Sequence, residues 1–335
     1  MSPAAAGACP GCGTTVAGLD NFCERCGREL AAAQVSVGST AAATCRSCGS
    51  TARTADGYCE RCGQKAPAGR DHVEIDLGAL AGVTDRGRRH QRNEDAVALF
   101  LTHTPAGPAA LAVVCDGVST SHRPDEASLT AANEALRVLT AEVRAGATGE
   151  QAVIAAAIAA QDAVSDLAGE SENAPATTIV CACVTPDAVT IGWVGDSRAY
   201  WIPADDSAAR VLTRDDSLGA ELVAVGALTE TEAAGSSHEH VLTRWLGADA
   251  EHVDPHAAAF KPQGPGMVLL CSDGLWNYRP SASGLAELVR PRASANLADA
   301  AAGLVEFALD HGGEDNISAV LASFPPNVTP SPPQP

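Results

Sequence analysis

Five aspartates stand at the ends of short apolar runs, beside glycine or other small residues. Asp95 lies in Asn93-Glu94-Asp95-Ala96, just before the run 96–100. Asp116 closes the run 111–115 and is followed by Gly117. Asp196 sits in Gly195-Asp196-Ser197-Arg198 after 191–194, and Asp273 in Cys271-Ser272-Asp273-Gly274 after 267–270. Asp315 lies in Glu314-Asp315-Asn316 before 317–321. One Asp-Gly by itself reads as a turn. Carboxylates at several strand ends can converge, and converging like charges repel unless cations lie between them. Their hard oxygens suit Mg²⁺ or Mn²⁺ and not zinc.

A second constellation is made of thiols. Cys9, Cys12, Cys23 and Cys26 recur 36 positions later as Cys45, Cys48, Cys59 and Cys62. Both copies read C-x2-C-x10-C-x2-C, and all four pairs end in Cys-Gly. A Cys-x-x-Cys-Gly turn aims two sulfurs at one point, with glycine accepting the positive φ. Two such turns supply four thiolates, the donor set of tetrahedral zinc, with rubredoxin-like iron the chemical rival. Each unit is too small to hold a core, so metal binding would supply most of its folding free energy. The remaining thiols, Cys115, Cys181, Cys183 and Cys271, lie within or at the ends of apolar runs and read as small buried hydrophobes.

The elements that must position these groups follow from periodicity. Short apolar runs at 96–100, 111–115, 179–184, 189–194, 198–202, 267–271 and 317–322 read as buried strands. Segments 126–143, 149–168, 282–290 and 295–310 carry apolar residues at helical spacing. Strands in series with intervening helix pairs predict an α+β layered domain and not a βαβ repeat. The low-complexity stretch 31–44 reads as a linker between the cysteine repeats, and residues 325–335 as an unstructured Pro-rich tail. Trp193, Trp201, Trp245 and Trp276 read as core residues, Trp276 also as a candidate for the cleft mouth. His238 and His240 read as a solvated loop, and Ala204-Asp205-Asp206 as a hairpin turn.

The chain has 335 residues and a formal charge of -19, from 22 Lys and Arg against 41 Asp and Glu. Residues 1–70 hold five acids and seven bases (+2), leaving -21 for residues 71–335. That balance speaks against bulk binding to nucleic acid or an anionic membrane. No run approaches a membrane span and no signal peptide is visible, so the expected compartment is the cytoplasm. Reduced thiols there favour metal ligation over disulfides.

In order, the motifs resemble those of the metal-dependent Ser/Thr protein phosphatase (PPM, type 2C) family. Thr84-Asp85-Arg86-Gly87 through Asn93-Glu94-Asp95-Ala96 is similar to its opening motif, and Val114-Cys115-Asp116-Gly117 to its second. Ala176-Thr177-Thr178 resembles a Gly-Thr-Thr element, and Val194-Gly195-Asp196-Ser197-Arg198-Ala199-Tyr200 is a close match. The segment from Leu212 to Gly247 resembles the flap, and Cys271-Ser272-Asp273-Gly274-Leu275-Trp276 and Asp315-Asn316-Ile317-Ser318 close the pattern. The N-terminal repeats resemble a double zinc ribbon.

The resemblance implies a four-layer α-β-β-α sandwich of two antiparallel sheets, preceded by two small zinc ribbons. It divides the chain into a tandem ribbon at 7–64, a linker at 65–76, the phosphatase domain at 77–324 and the tail at 325–335. It implies that Asp116 bridges two Mn²⁺ or Mg²⁺ ions, with Asp273 and Asp315 holding the first. Glu94 or Asp95, with the Gly117 carbonyl, would complete the second. Asp196 and Asp273 would take a third, weaker ion, and Asn316 would support Asp315. The implied reaction is hydrolysis of phosphoserine and phosphothreonine by a metal-activated water, without a covalent intermediate. Phosphoprotein substrates of a Ser/Thr kinase are the implied partners, and the two-zinc ribbons the implied docking module, for protein in preference to nucleic acid.

Three departures stand out. His90 occupies a position where many members carry a phosphate-binding Arg, although Arg88, Arg89 and Arg92 are near. Gly117-Val118-Ser119-Thr120 replaces the usual Gly-x-Gly-Gly, and some members place a His at the Val118 position. The flap reads Asp215-Asp216-Ser217 where Asp-His-Ser is common. The alternative they leave open is a pseudophosphatase that binds phosphoproteins and regulates a kinase pathway.

Overall fold

The computed structural model describes residues 50, 52, 54, 58–63, 69–168, 173–234, 236–250, 253–293 and 296–326, together with β1 (Gly7–Ala8) and β2 (Thr15–Val16). β1 and β2 pair antiparallel. Cys9, Cys12, Cys23, Cys26, Cys45 and Cys48 lie outside the described residues, as do residues 327–335. Of the four cysteine turns, the one at Cys59–Gly63 is described. Gly63 has φ +71° and donates its N–H to the Cys59 carbonyl at 2.8 Å, the turn that glycine was expected to allow.

Two antiparallel sheets form the body. The six-stranded sheet runs β11 (Arg210–Val211), β10 (Arg198–Pro203), β14 (Gly266–Cys271), β15 (Ile317–Phe324), β4 (Leu80–Asp85), β3 (His72–Asp76). The five-stranded sheet runs β13 (His256–Phe260), β9 (Val189–Val194), β8 (Ile179–Val184), β6 (Gly107–Asp116), β5 (Asp95–Thr104). The long strands are apolar on both faces because both faces are covered. In β5, Ala96, Ala98 and Phe100 face a helical layer, while Val97, Leu99 and Leu101 face the opposite sheet. In β15, Ile317, Ala319 and Leu321 point outward, and Val320, Ala322 and Phe324 inward. Period-two alternation therefore serves two cores and not a core and solvent.

Helices α1 (Pro124–Ala145) and α2 (Gly149–Ser165) cover the five-stranded sheet. Proline opens α1, Asp125 and Glu126 occupy its first turn, and Gly146 ends it at φ +90°. Thr148 and Gln151 form a reciprocal cap on α2. Alanines on the inner face of α1 allow close approach to the sheet. Helices α6 (Ala282–Ala293) and α7 (Leu297–Asp310) cover the other sheet. The four layers match the expected α+β sandwich.

Several details differ from the sequence expectation. Residues 72–76, within the expected linker 65–76, form the edge strand β3. Strand β3 carries no clear apolar run, the apolar runs of β4 and β13 are rich in the weak strand formers Gly and Ala, and all three pair because neighbouring strands supply partners. Trp193, Trp201 and Trp276 are buried, but Trp245 is half-exposed and donates to Asp249 at 2.9 Å. Cys115, Cys181, Cys183 and Cys271 are buried, and burial pushes the Cys181 and Cys183 thiols up to about 12, as inert core residues require. Among the described residues no helix is long and apolar enough to cross a membrane.

Candidate active site

Register brings the aspartates to one end of the sandwich. Asp95, first in β5, is directly opposite Asp116, last in β6. Val194, which ends β9, pairs with Ile179 at the same end of β8, so the turn holding Asp196 comes there too. Arg198 pairs with Cys271, the last residue of β14, and Asp273 follows as the first residue of α5 (Asp273–Trp276). Asp315 precedes β15, whose Ile317 pairs with Asp85.

These carboxyls strain against one another. Burial first, then Asp95, Asp273, Asp315 and Asp196, push the Asp116 carboxyl well above the ordinary carboxylate range. Burial and then Asp273 and Asp215 do the same to Asp196. Asp273 is pushed up to about 6 by burial and the charge on Asp315. Asp95 is pushed up to about 7 by burial, against hydrogen bonds from Ser318 and Ser272, with Asp315 and Asp273 adding to the rise. Each shift has the sign expected of a group awaiting positive charge.

The supports are specific. Asp95 Oδ2 accepts from the Ser272 hydroxyl at 2.8 Å and the Ser318 hydroxyl at 2.7 Å, while its Oδ1 is buried with no hydrogen-bond partner. An orphaned buried carboxylate oxygen is costly unless a ligand takes it. The Thr178 N–H and the Thr177 hydroxyl both donate to the Asp116 carbonyl at 2.8 Å, fixing the end of β6. Asn316 accepts the Glu94 N–H at 2.7 Å and donates to the carbonyls of Arg86 and Arg92 at 2.7 and 3.1 Å. It thus ties the β4–β5 loop to the start of β15. Glycine is required at 117, where a Cβ would stand 2.5 Å from the Pro124 carbonyl oxygen and 2.7 Å from that of Glu94.

His90 Nε2 lies 3.1 Å from Asp315 Oδ1, and Glu94 receives the Ser119 hydroxyl at 2.6 Å and Arg92 Nε at 3.1 Å. His90 and Arg92 therefore flank the cluster. Sequence reasoning missed Ser119, Ser272 and Ser318. The two that reach Asp95 stand one residue before Asp273 and three after Asp315, inside motifs already recognised. It also missed Arg70, counted with the N-terminal segment. Its guanidinium donates to the Asp125 carbonyl at 2.7 Å and the Asp95 carbonyl at 3.1 Å.

The flap carries α3 (Leu218–Ala224), α4 (Glu230–Ala233) and β12 (Leu246–Gly247), which pairs with β7 (Ala176–Thr177). Asp216, noted as a departure, is buried and anchors it. Asp216 Oδ2 accepts the Gly195 N–H at 3.0 Å, and its Oδ1 lies 2.8 Å from His256 Nε2, whose ring stacks on Trp193. Arg198 pairs with Asp215 at 2.6 Å and lies 3.6 Å over the Trp276 ring, whose indole N–H donates to the Asp196 carbonyl at 3.0 Å. His238 and His240 are exposed, and residues 204–207 form an exposed turn, as their composition indicated.

Among the described residues no three His, Cys, Asp or Glu side chains already stand at metal-ligating spacing. The donor set nonetheless fits hard divalent cations: it is all carboxylate, Glu94, Asp95 and Asp196 are buried, Asp116 and Asp273 are partly buried with raised proton affinity, and one Asp95 oxygen is orphaned.

Stacked antiparallel sheets lie between helix pairs, with a cluster of carboxylates at one end. The family model described as protein phosphatase 2C matches residues 84–308. The serine/threonine phosphatase stp of Listeria innocua is 32% identical over 244 residues, spanning 71% of this chain and 92% of that protein. The crystal structure of serine/threonine phosphatase Stp1 from Staphylococcus aureus is 27% identical with TM-score 0.62, covering 76% of this chain and 98% of that one. The catalytic domain of PstP, solved with two manganese ions, shares the fold at 24% identity and TM-score 0.57, covering 73% and 97%. The chain belongs to the protein phosphatase 2C family and is a serine/threonine phosphatase.

Proposed function

We propose that this protein hydrolyses phosphoserine and phosphothreonine in protein substrates at a two-metal centre held by Asp116, Asp273, Asp315 and Asp95, with Glu94 and the Gly117 carbonyl. Asp196 and Asp273 would hold a third, weaker ion. The orphaned, buried Asp95 Oδ1 beside carboxyls of raised proton affinity is the observation that carries the reading. Divalent cations at such a site lower the pKa of a water and offset the charge that spreads over the phosphoryl oxygens.

The chain's own residues prepare that chemistry. Ser272 and Ser318 fix the Asp95 carboxylate, so its free oxygen is presented in one direction. Thr177 and Thr178 fix the Asp116 backbone, and Asn316 fixes Glu94. His90 and Arg92 stand where a substrate phosphate would approach the cluster, in the place of a single arginine. An imidazole grips phosphate less firmly than a guanidinium fork, so weaker phosphate binding follows. The cysteine repeats at 7–64 would hold two zinc ions and serve to dock the catalytic domain to a protein partner. Their repeated thiol spacing, and the turn at Cys59–Gly63, support this.

Full-length protein is expected to hydrolyse p-nitrophenyl phosphate and phosphothreonine peptides only with Mn²⁺ or Mg²⁺ added. Asp116→Asn and Asp273→Asn are each expected to lower kcat/KM by at least about 100-fold. Full activity in either variant, or no turnover by folded metal-replete protein, overturns the reading. Elemental analysis is expected to find two zinc per chain.

A further inference from the structure

A cavity of about 520 Å³ opens between the flap and the six-stranded sheet. One wall belongs to the flap: Ala220 and Val223 of α3, Glu230 of α4, and Glu239 in the loop after it. Val211 and Pro280 line it from the body, as does the Arg198–Asp215 ion pair. The cavity adjoins the carboxylate end of the sandwich. Arg198 stands two residues after Asp196, and its guanidinium covers the Trp276 ring. His240, the residue after Glu239, stacks on the same ring with centroids 5.8 Å apart. The Trp276 indole N–H donates to the Asp196 carbonyl at 3.0 Å, so one side chain separates the cavity from the cluster.

Local structure holds both glutamates in place. Glu230 follows Thr229, whose reciprocal cap with Glu232 fixes the start of α4. The Gly219 N–H donates to the His238 carbonyl at 2.9 Å, and a Cβ on Gly219 would stand 3.1 Å from Glu239 Cα, so α3 closes tightly on the loop that carries Glu239. Arg198 and Asp215 neutralise each other at 2.6 Å. Arg214, the remaining cation on the lining, donates to the Ala220 carbonyl at 3.4 Å. Glu230 and Glu239 therefore leave the cavity one net negative charge. The surroundings have the same sign: flap residues 212–247 hold six acids against two arginines. A field of that sign draws cationic ligands in and turns anionic ones away.

The lining asks for an apolar stem ending in a cation. Ala220, Val223 and Val211, the last 42% exposed, offer surface for methylene groups. Lysine and arginine side chains have this form, burying the stem while the charged head stays near water. A glutamate in the same place would meet Glu230 and Glu239 as like charges. Reach is sufficient as well. An extended peptide advances about 3.3 Å per residue, so a residue two to four positions from a phosphoresidue lies roughly 7–13 Å from it.

Resting on phosphoester hydrolysis at the carboxylate cluster as proposed above, we propose that this cavity receives a lysine or arginine of the substrate, so that the enzyme selects phosphoserine and phosphothreonine segments with a basic residue within about four positions. Full-length protein with Mn²⁺ tests this on phosphothreonine peptides that carry Arg, norleucine or Glu at each flanking position in turn. At one position or more, Arg is expected to raise kcat/KM at least about 5-fold over norleucine, with Glu lowest. Glu230→Lys/Glu239→Lys is expected to reverse the order of Arg and Glu. Ala224→Trp, which fills the cavity from an exposed position on its rim, is expected to abolish the preference. Both variants should turn over p-nitrophenyl phosphate, which has no flanking residues, within about 2-fold of wild type. Norleucine equal to Arg at every position overturns the proposal, as does an Arg preference kept by both variants. Turnover of p-nitrophenyl phosphate by wild type without an Arg preference overturns this proposal alone, whereas no turnover of any substrate overturns the reading it rests on.

Discussion

Replacing Asp95 by asparagine isolates the tension stored in the carboxylate cluster. The folded state raises this carboxyl from 3.8 to about 7. Folded protein therefore binds the proton more tightly than the unfolded chain does. Stability from this group is greatest below the lower value and falls as pH rises through the window up to about 7. Three pKa units correspond to about 4 kcal/mol lost above that window. The amide of the Asp95→Asn variant carries no charge, and its carbonyl can still accept from Ser272 and Ser318. Its NH₂ replaces the orphaned Oδ1 as a buried donor without a partner, at about 1–2 kcal/mol. The net is a metal-free variant more stable than wild type by about 2–3 kcal/mol at pH 8, or about 5–10 °C in Tm. Urea and thermal unfolding of EDTA-treated protein at pH 5.5 and 8 read this out. Wild type is expected to lose stability between the two, and Asp95→Asn to lose much less. Added Mn²⁺ is expected to stabilise wild type strongly and the variant little. A metal-free Asp95→Asn protein less stable than wild type at pH 8 refutes the reasoning.

Gly117→Ala forces a Cβ against the carbonyl oxygens of Pro124 and Glu94, at 2.5 and 2.7 Å. It is expected to cost about 2–4 kcal/mol in urea unfolding. It should also abolish metal-dependent turnover, because β6 and the start of α1 must part. His90→Arg places a permanently charged fork beside Asp315 and is expected to lower KM for a phosphopeptide about 3- to 10-fold, with kcat within about 2-fold. An unchanged KM removes His90 from substrate contact.

The long elements were legible because their residues have one use each. Apolar runs such as 179–184 and alanine-rich helices such as 149–165 form wherever both faces are covered. Strands β3, β4 and β13 were not legible. His256–Phe260 is mostly alanine, a weak strand former, and exists because β9 offers it an edge. Tryptophan usually packs in the core, yet Trp245 lies on the flap, where Asp249 takes its N–H. Asp216 looked like a lost histidine. The fold shows a buried anchor with its own histidine, His256, arriving from a strand 40 residues away.

Sequence alone was enough to pick out the candidate donors: five aspartates at the ends of apolar runs and eight cysteines at repeated spacing. Side-chain type and local spacing limit which metals such groups would suit, and neither depends on the rest of the fold. Tertiary structure alone decided what each donor experiences. The β5–β6 register sets Asp95 against Asp116, Ser272 and Ser318 leave one Asp95 oxygen unsatisfied, and Asn316 binds loops 222 to 230 residues away. Burial and Coulomb repulsion act through space between chain-distant groups. Their strength is therefore fixed only when the sheets stack.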